Sequence, residues 1–286
     1  VKVSGFSFIR NALKYDYPIV EAITSILPIC DEFIIAVGKS EDTTLQLIES
    51  INSPKIKILP TTWDDTLRES GKVLAVETDK ALQAVAQDSD WAFYIQGDEV
   101  VHEQYLDTIR QAMLQWKDNP EVEGLLFKYL HFYGSYKYIG DSRRWYRREV
   151  RIVRPRNDIF SYQDAQGFRK KPNNKLQVKL IDAYIYHYGW VKPPRLQFEK
   201  RMEFNRLWSP EDLSMDVHDF NYQDIDSLKT FVGTHPAVMQ ERYKRYDWDF
   251  EFDPKKAKVS LKDKWLHAFY KATGVWLFEY RNYRLI

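Results

Sequence analysis

The first hundred residues alternate between two hydrophobic periods. Val3 to Ile9 reads as a short strand, and Pro18 to Ile29 as a helix with Ile19, Ala22, Ile23, Ile26 and Leu27 on one face. Pro18 suits a first helical turn, where its missing N–H costs nothing. Phe33 to Val37 is a continuous apolar run, the pattern of a strand buried on both faces. Thr43 to Ile51 predicts a helix, Ile56 to Leu59 a third strand, Lys72 to Ala86 a second long helix, Trp91 to Ile95 a fourth buried strand, and Tyr105 to Trp116 a further helix. Strands alternating with helices argue for an α/β fold: a mostly parallel, Rossmann-like central sheet flanked by helices. Ligands in such folds sit at the carboxyl ends of the strands, so the residues after Ile9, Val37, Leu59 and Ile95 are where chemistry belongs.

From Gly124 onward the pattern changes. Gly124 to Leu130, Val150 to Val153, Lys179 to Ile181 and Ala183 to Tyr188 read as strands, and Val191-Lys192-Pro193-Pro194 ends the last. Arg195 to Leu207 is helical. Residues 209–286 mix short aromatic-rich elements, with a helix predicted over Lys262 to Thr273. No internal repeat and no low-complexity linker interrupts the chain.

Composition narrows the function classes. The chain has 286 residues, 44% of them hydrophobic, enough to bury a sizeable core and to exclude wholesale disorder. A formal net charge of +1 speaks against coating a polyanion such as nucleic acid. The single cysteine, Cys30, excludes a disulfide framework and a cysteine-based zinc site within the chain; in its apolar setting it reads as a small buried hydrophobe. No segment reaches the roughly 18 apolar residues a bilayer span needs. Lys2 is followed by a strand-like segment interrupted by Arg10 and Asn11, unlike a secretory leader. The expectation is a cytoplasmic protein, with peripheral contact at the inner face of a membrane left open. Neither Gly-x-Gly-x-x-Gly nor a Walker A loop is present, which disfavours a dinucleotide dehydrogenase or a P-loop nucleotidase.

Several clusters carry candidate chemistry, each with a plainer alternative. Gln96-Gly97-Asp98-Glu99 follows the fourth strand, where Asp98 could hold Mg²⁺ or Mn²⁺ through hard oxygen ligands. Its alternative is a polar turn, with Glu99 and Glu103 as acids at a helix N-terminus. His187 ends an apolar strand, either as a metal or phosphate ligand or as a hydrogen-bonded core residue. The window from Arg143 to Lys179 holds a basic excess of nine, so the rest of the chain sums to −8. Arginine forks there could cradle phosphates, or could pair with the acidic remainder across a solvated face. Asp164, in the turn Gln163-Asp164-Ala165-Gln166-Gly167, could act as a general base kept ionised by positive neighbours, or could satisfy turn amides. Trp63, Trp145, Tyr146, Tyr162 and Trp190 fall in or beside predicted loops, where sugar rings could stack. The stretch from Lys262 to Lys271 mixes basic and aromatic residues, suited to a membrane surface or to packing back on the domain.

Taken together, the chain resembles the family 2 glycosyltransferases of bacterial type, with the glycosyltransferase-A fold. Three features carry the likeness: the opening strand Ser4 to Asn11 with its helix Pro18 to Ile29; Phe33 to Val37 running into Gly38-Lys39-Ser40-Glu41-Asp42-Thr43-Thr44; and Trp91 to Ile95 followed by Gln96-Gly97-Asp98-Glu99, at the position of the family's Asp-x-Asp motif. The resemblance covers residues 3–110 best; 145–190 looks like the acceptor half, and the tail past 195 contributes little. It implies a catalytic domain over 1–195, with a nucleotide-binding half to about 115 and an acceptor half beyond, followed by a helical or mixed extension over 196–286. The implied activity is inverting transfer of a sugar from a nucleotide-diphosphate donor to a glycan or lipid-linked acceptor, in surface-polysaccharide assembly. Donor contacts would come from Phe8, Ile9, Arg10, Asn11, Gly38, Glu41, Asp42, Lys72, Gln96, Gly97 and Asp98. The acceptor or its phosphate would meet Glu99, Arg144, Arg151, Gln166, Arg169 and Trp190. Asp164 would be the base, with Asp141 and Asp158 as stand-ins, and Asp98 with His187 would hold Mn²⁺ or Mg²⁺. The family's first motif aspartate is Gln96 here, one carboxylate fewer for a metal. The competing readings are a degenerate module that binds glycan or nucleotide without turnover, and a sugar-nucleotide nucleotidyltransferase, whose usual Gly-rich basic loop is not found after Ile9.

Overall fold

The structure is a computed structural model that describes residues 1–67, 71–208, 222, 227–256 and 260–286. The N-terminal half runs β1 (Val3–Ile9), α1 (Ile19–Ile26), β2 (Glu32–Gly38), α2 (Thr44–Glu49), β3 (Ile56–Thr61), α3 (Lys72–Gln83), β4 (Trp91–Tyr94), β5 (Glu99–Val101) and α4 (Leu106–Trp116). It continues through β6 (Gly124–Tyr133), β7 (Tyr138–Gly140), β8 (Arg148–Val153), β9 (Ile159–Tyr162), β10 (Gly167–Lys170), β11 (Asn174–Trp190) and α5 (Pro194–Trp208). The remainder holds β12 (Leu228–Thr230), α6 (Gln240–Lys244), α7 (Leu261–Thr273) and β13 (Tyr283–Leu285).

The main sheet has the order β3-β2-β1-β4-β8-β6-β11-β10-β9. Its first four strands are parallel, β8 runs antiparallel between β4 and β6, and β6 pairs parallel with β11. This is the expected α/β class, a mixed sheet that is mostly parallel in its core, with helices on both faces. The continuous apolar runs follow from that layering. Phe33, Ile35 and Phe93 face the layer of α1 and α4, whereas Ile34, Ala36 and Tyr94 face the layer of α3. Alternate positions therefore meet different helices, and neither side of the strand can be polar.

Two departures from the sequence pattern matter for the site. The segments 179–181 and 183–188, expected as separate strands, belong to one strand of 17 residues. Asp182 interrupts the apolar run because it faces outward and pairs with Lys128 at 2.6 Å, where the ladder between β6 and β11 shifts register. Inside the basic window lies a hairpin that hydrophobic periodicity does not announce, β9 and β10, with Asp164 in its turn. The extension past 195 does not stand apart: β12 pairs with β7, and β13 lies parallel to the start of β11.

Candidate active site

A cleft of about 590 Å³ opens at the carboxyl ends of the parallel strands. The end of β1 supplies Phe8, Ile9, Arg10 and Asn11, and the turn after β4 supplies Gln96, Gly97 and Asp98. β1 and β4 are neighbours with β2 on the far side of β1, so the cleft lies where the strand order reverses, the usual ligand position in open α/β sheets. Trp63 comes from beyond β3, Asp164 from the β9–β10 turn, His187 and Trp190 from the end of β11, and Lys200 and Arg201 from α5. One wall is aromatic: the Trp63 ring lies 5.8 Å from Phe8, with the Arg10 guanidinium 5.1 Å over it. Glycine is required at 38 because a side chain there would strike the Trp63 indole.

Asp98 is buried at the floor of this cleft. Lys200 Nζ donates to its Oδ2 at 2.9 Å and to the Gly189 carbonyl at 3.1 Å, and His187 Nε2 lies 3.7 Å from Oδ1. Burial would raise the Asp98 carboxyl, but the Lys200 ammonium, through its charge and its hydrogen bond, outweighs it and holds the group well below the usual carboxylate range. Burial likewise opposes the charge on Lys200, while Tyr17 and Asp98 restore it and leave the ammonium above its ordinary value. Gly189 makes the close approach possible: a methyl there would sit 2.7 Å from both Asp98 Oδ2 and His187 Nε2.

The proton positions on the two histidines follow from their partners. His131 Nε2 lies 2.7 Å from the Tyr146 carbonyl, which can only accept, so that nitrogen carries the proton. Burial pushes His131 well down, so its ring is neutral and Nδ1 is a bare lone pair. His187 Nδ1 therefore donates to it at 3.1 Å, and burial keeps His187 low as well. His187 Nε2 is left as an acceptor beside Asp98.

This donor set does not fit a resident Mn²⁺ or Mg²⁺. Asp98 and His187 offer two ligands, but an ammonium already holds the carboxylate. Gln96 brings an amide whose nitrogen donates to the Ala165 carbonyl at 3.0 Å. Glu99 is locked to Arg151 in a fully buried bidentate pair at 2.8 and 2.9 Å. No three metal-ligating side chains converge among the described residues.

Asp164 faces the same cleft from a turn in which Gln163 and Ala165 take left-handed backbone angles, φ 55° and 64°. Burial raises its carboxyl above the ordinary value, making it a better proton acceptor near neutrality. The Gln96–Ala165 hydrogen bond ties this turn to the Asp98 turn, and Arg151 Nη1 donates to the Gln166 carbonyl at 2.8 Å from below.

Other nominated residues lie elsewhere. Glu41 pairs with Lys14, and Asp42 accepts from the Lys14 amide at 2.7 Å; the two shape the loop after β1 rather than lining the cleft. Lys72 borders a separate shallow hollow with Asp79 and Tyr162. Glu99 and Arg151 are interior, and Gln166 donates to the buried Glu149. Arg169 is buried against Asn282 and Tyr162. Arg144 does not line the cleft.

The basic window is therefore largely spent inside the fold. Arg143 donates to the Leu277 carbonyl, Arg147 lies 4.4 Å over the Trp276 ring, Arg154 reaches the carbonyls of Trp116, Asn119 and Val122, and Arg156 pairs with Asp158. The cleft takes its lysine from α5 instead. Lys200 sits on a helix of weak amphipathic pattern with no motif around it, so local sequence gives no sign of its role.

No protein-family model matches the chain, and no curated protein matches it in sequence. Among solved structures it is similar to Staphylococcus aureus TarS, residues 1–349, in complex with UDP, at 16% identity and TM-score 0.41 over 72% of this chain and 64% of that one. It is also similar to glucosyl-3-phosphoglycerate synthase from Mycobacterium tuberculosis in complex with Mn²⁺, UDP and phosphoglyceric acid, at 17% identity and TM-score 0.32 over 46% of this chain and 43% of that one. The chain thus spans less than two thirds of either protein.

Proposed function

We propose that this chain is an inverting glycosyltransferase of the glycosyltransferase-A type, using a nucleotide-diphosphate sugar and a glycan or lipid-linked acceptor. The observation that supports it best is one cleft at the strand-order reversal holding both a buried, ion-paired Asp98 and the basic carboxylate Asp164, beside an aromatic wall. The aromatic end, Phe8 and Trp63, suits the nucleoside, and the Asp98 end suits the diphosphate. Asp164 takes the proton of an acceptor hydroxyl. The hydroxyl oxygen forms its bond to the anomeric carbon as the bond from that carbon to the diphosphate oxygen breaks, and the electron pair leaves on the diphosphate. A single displacement of this kind inverts the anomeric centre. Peripheral contact with a membrane belongs to the same reading. It is supported by Leu261 and Trp265, which are exposed on α7 among its lysines, and by Phe278, exposed in the chain after it.

Thermal stability against UDP, GDP, CMP and dTDP identifies the nucleotide, since a ligand at a hundred times its Kd adds about 2.7 kcal/mol. With the matching sugar donor, Asp164→Asn is expected to lower turnover by roughly 10²-fold or more and to leave the nucleotide shift intact. Undiminished turnover would remove Asp164 from this role. A nucleotide shift in wild type with no turnover on any acceptor would favour the degenerate binding module.

A further inference from the structure

Resting on that reading, we infer that Lys200 is the cation of the donor site: its ammonium, fixed on Asp98, does for the nucleotide diphosphate what a divalent metal would otherwise do.

The argument is one of charge and place. A diphosphate needs positive charge at the strand-order reversal, and the leaving group needs it more as the glycosidic bond breaks. The floor of the cleft offers three candidates for delivering it. A metal would need the Asp98 carboxylate, but Lys200 already holds Oδ2 at 2.9 Å. It would also draw on the neighbouring motif positions, yet one is the amide Gln96 and the other, Glu99, is neutralised by Arg151 in the interior. The arginine cluster of 143–156 could supply charge from elsewhere, but most of it is turned to backbone carbonyls, rings and carboxylates of the fold. Lys200 itself lines the cleft, held by Asp98, by the Gly189 carbonyl and by the Tyr17 side chain, with its ammonium 4.6 Å from the Tyr17 ring centroid. Buried charge that is held in place before the substrate arrives needs no reorganisation when the leaving group develops its own. Arg201, next in sequence, and Arg10 at the end of β1 also line the cleft and add positive charge, Arg10 partly offset by Glu203 at 3.7 Å. Asp98 in this arrangement is a positioning residue: it orients and keeps charged the lysine that meets the phosphates.

The test is calorimetric and independent of turnover. UDP, GDP and dTDP are titrated into the wild-type protein in EDTA and again in excess Mn²⁺. The expected result is one nucleoside diphosphate whose Kd differs by less than about twofold between the two conditions, a small fraction of the 1.4 kcal/mol that tenfold represents. Lys200→Met is expected to weaken that binding about tenfold or more in EDTA, as loss of a charge-assisted contact does, and Lys200→Arg to recover part of it. Binding by wild type only when Mn²⁺ is present overturns the inference and leaves the transferase reading standing. Wild-type affinity in Lys200→Met in EDTA overturns it as well. Failure of every nucleoside diphosphate to bind in either condition overturns both. The EDTA and Mn²⁺ comparison uses wild type alone and decides the part played by metal; if the methionine variant folds poorly, Lys200→Gln, titrated in EDTA after its melting is checked, decides between Lys200 and the arginines Arg10 and Arg201 of the same cleft.

Discussion

Glu149 lies on β8 beneath the cleft, fully enclosed, with Gln166 donating to one oxygen at 3.0 Å and no partner for the other among the described residues. Burial pushes its carboxyl up to about 8, only partly offset by Arg151. Its unfolded value is near 4.5, so between those limits the unfolded chain releases a proton that the folded chain keeps. Stability from this group is complete below about 4.5 and is lost as the pH climbs toward about 8, at about 1.4 kcal/mol per unit for a single group. Glu149→Gln is therefore expected to melt higher than wild type at pH 8, by about 2 °C or more, with the advantage vanishing as the pH approaches 4.5. A lower melting temperature at pH 8 would show that the carboxylate is ionised and paired in the fold. Glu149 also shows a limit of reading residues singly. Among the acids of this region the sequence points to Glu99 and Asp164, while which carboxyl is ionised, neutral or exposed depends on Arg151, whose partner lies 52 positions away in the chain.

At the scale of elements, α7 and the chain after it are fastened by the arginines that looked like a phosphate cradle. Trp276 takes the Arg143 and Arg147 guanidinium groups over its ring, at 5.2 and 4.4 Å, and packs edge-on against Tyr270 of α7. Trp276→Ala is expected to cost about 1–2 kcal/mol from the cation–π contacts and to speed amide exchange across residues 261–273. Exchange in β1 and β4 should not change; a uniform increase over both would mean that the clamp supports the whole fold. The main elements were legible because their apolar positions repeat with the period of the helices and strands they form, as in β1, β2 and α3. Short partners such as β5, β7, β12 and β13, three residues each, have no room for a period. The β9–β10 hairpin was legible only as the turn around Asp164, not as two strands with a particular turn geometry. Its left-handed positions are Gln163 and Ala165, held by the Arg151 and Gln96 hydrogen bonds rather than by the glycine or asparagine that announces such a turn.

For the molecule as a whole, a net charge of +1 conceals an uneven distribution. Part of the basic excess of residues 143–179, Arg143, Arg147 and Arg169, binds the extension, and Arg151, Arg154 and Lys170 bind within the sheet domain, whereas α7 turns Leu261 and Trp265 outward, 85% and 59% exposed. Phe278, 85% exposed, follows α7 in sequence. No described helix is long and apolar enough to cross a membrane. Exposed apolar groups beside basic ones are the kind of surface that lies on a bilayer. Flotation with anionic vesicles is expected to carry the protein upward at low salt and to release it at high salt. Trp265→Ser combined with Phe278→Ser should abolish flotation, and protein that stays at the bottom of the low-salt gradient would exclude the membrane contact. The same view explains why the site was only half visible in sequence. Its floor and aromatic wall follow the strand ends that an α/β sheet always offers, but its lysine arrives from the segment beyond residue 195, where local pattern carries no sign of function.

Gly189 carries one more consequence. It has no unusual backbone angle to excuse it; it is glycine because Asp98 and His187 leave no room for a methyl. That makes it a diagnostic. A chain with His-x-Gly at the end of a long strand, a lysine 11 positions after the glycine, and Gly-Asp after a shorter buried strand can be recognised as sharing this floor even when overall identity is too low to register. The spacing is a fingerprint of a carboxylate already occupied by its own ammonium. Searching for it would sort sequences by the chemistry of the cleft rather than by ancestry.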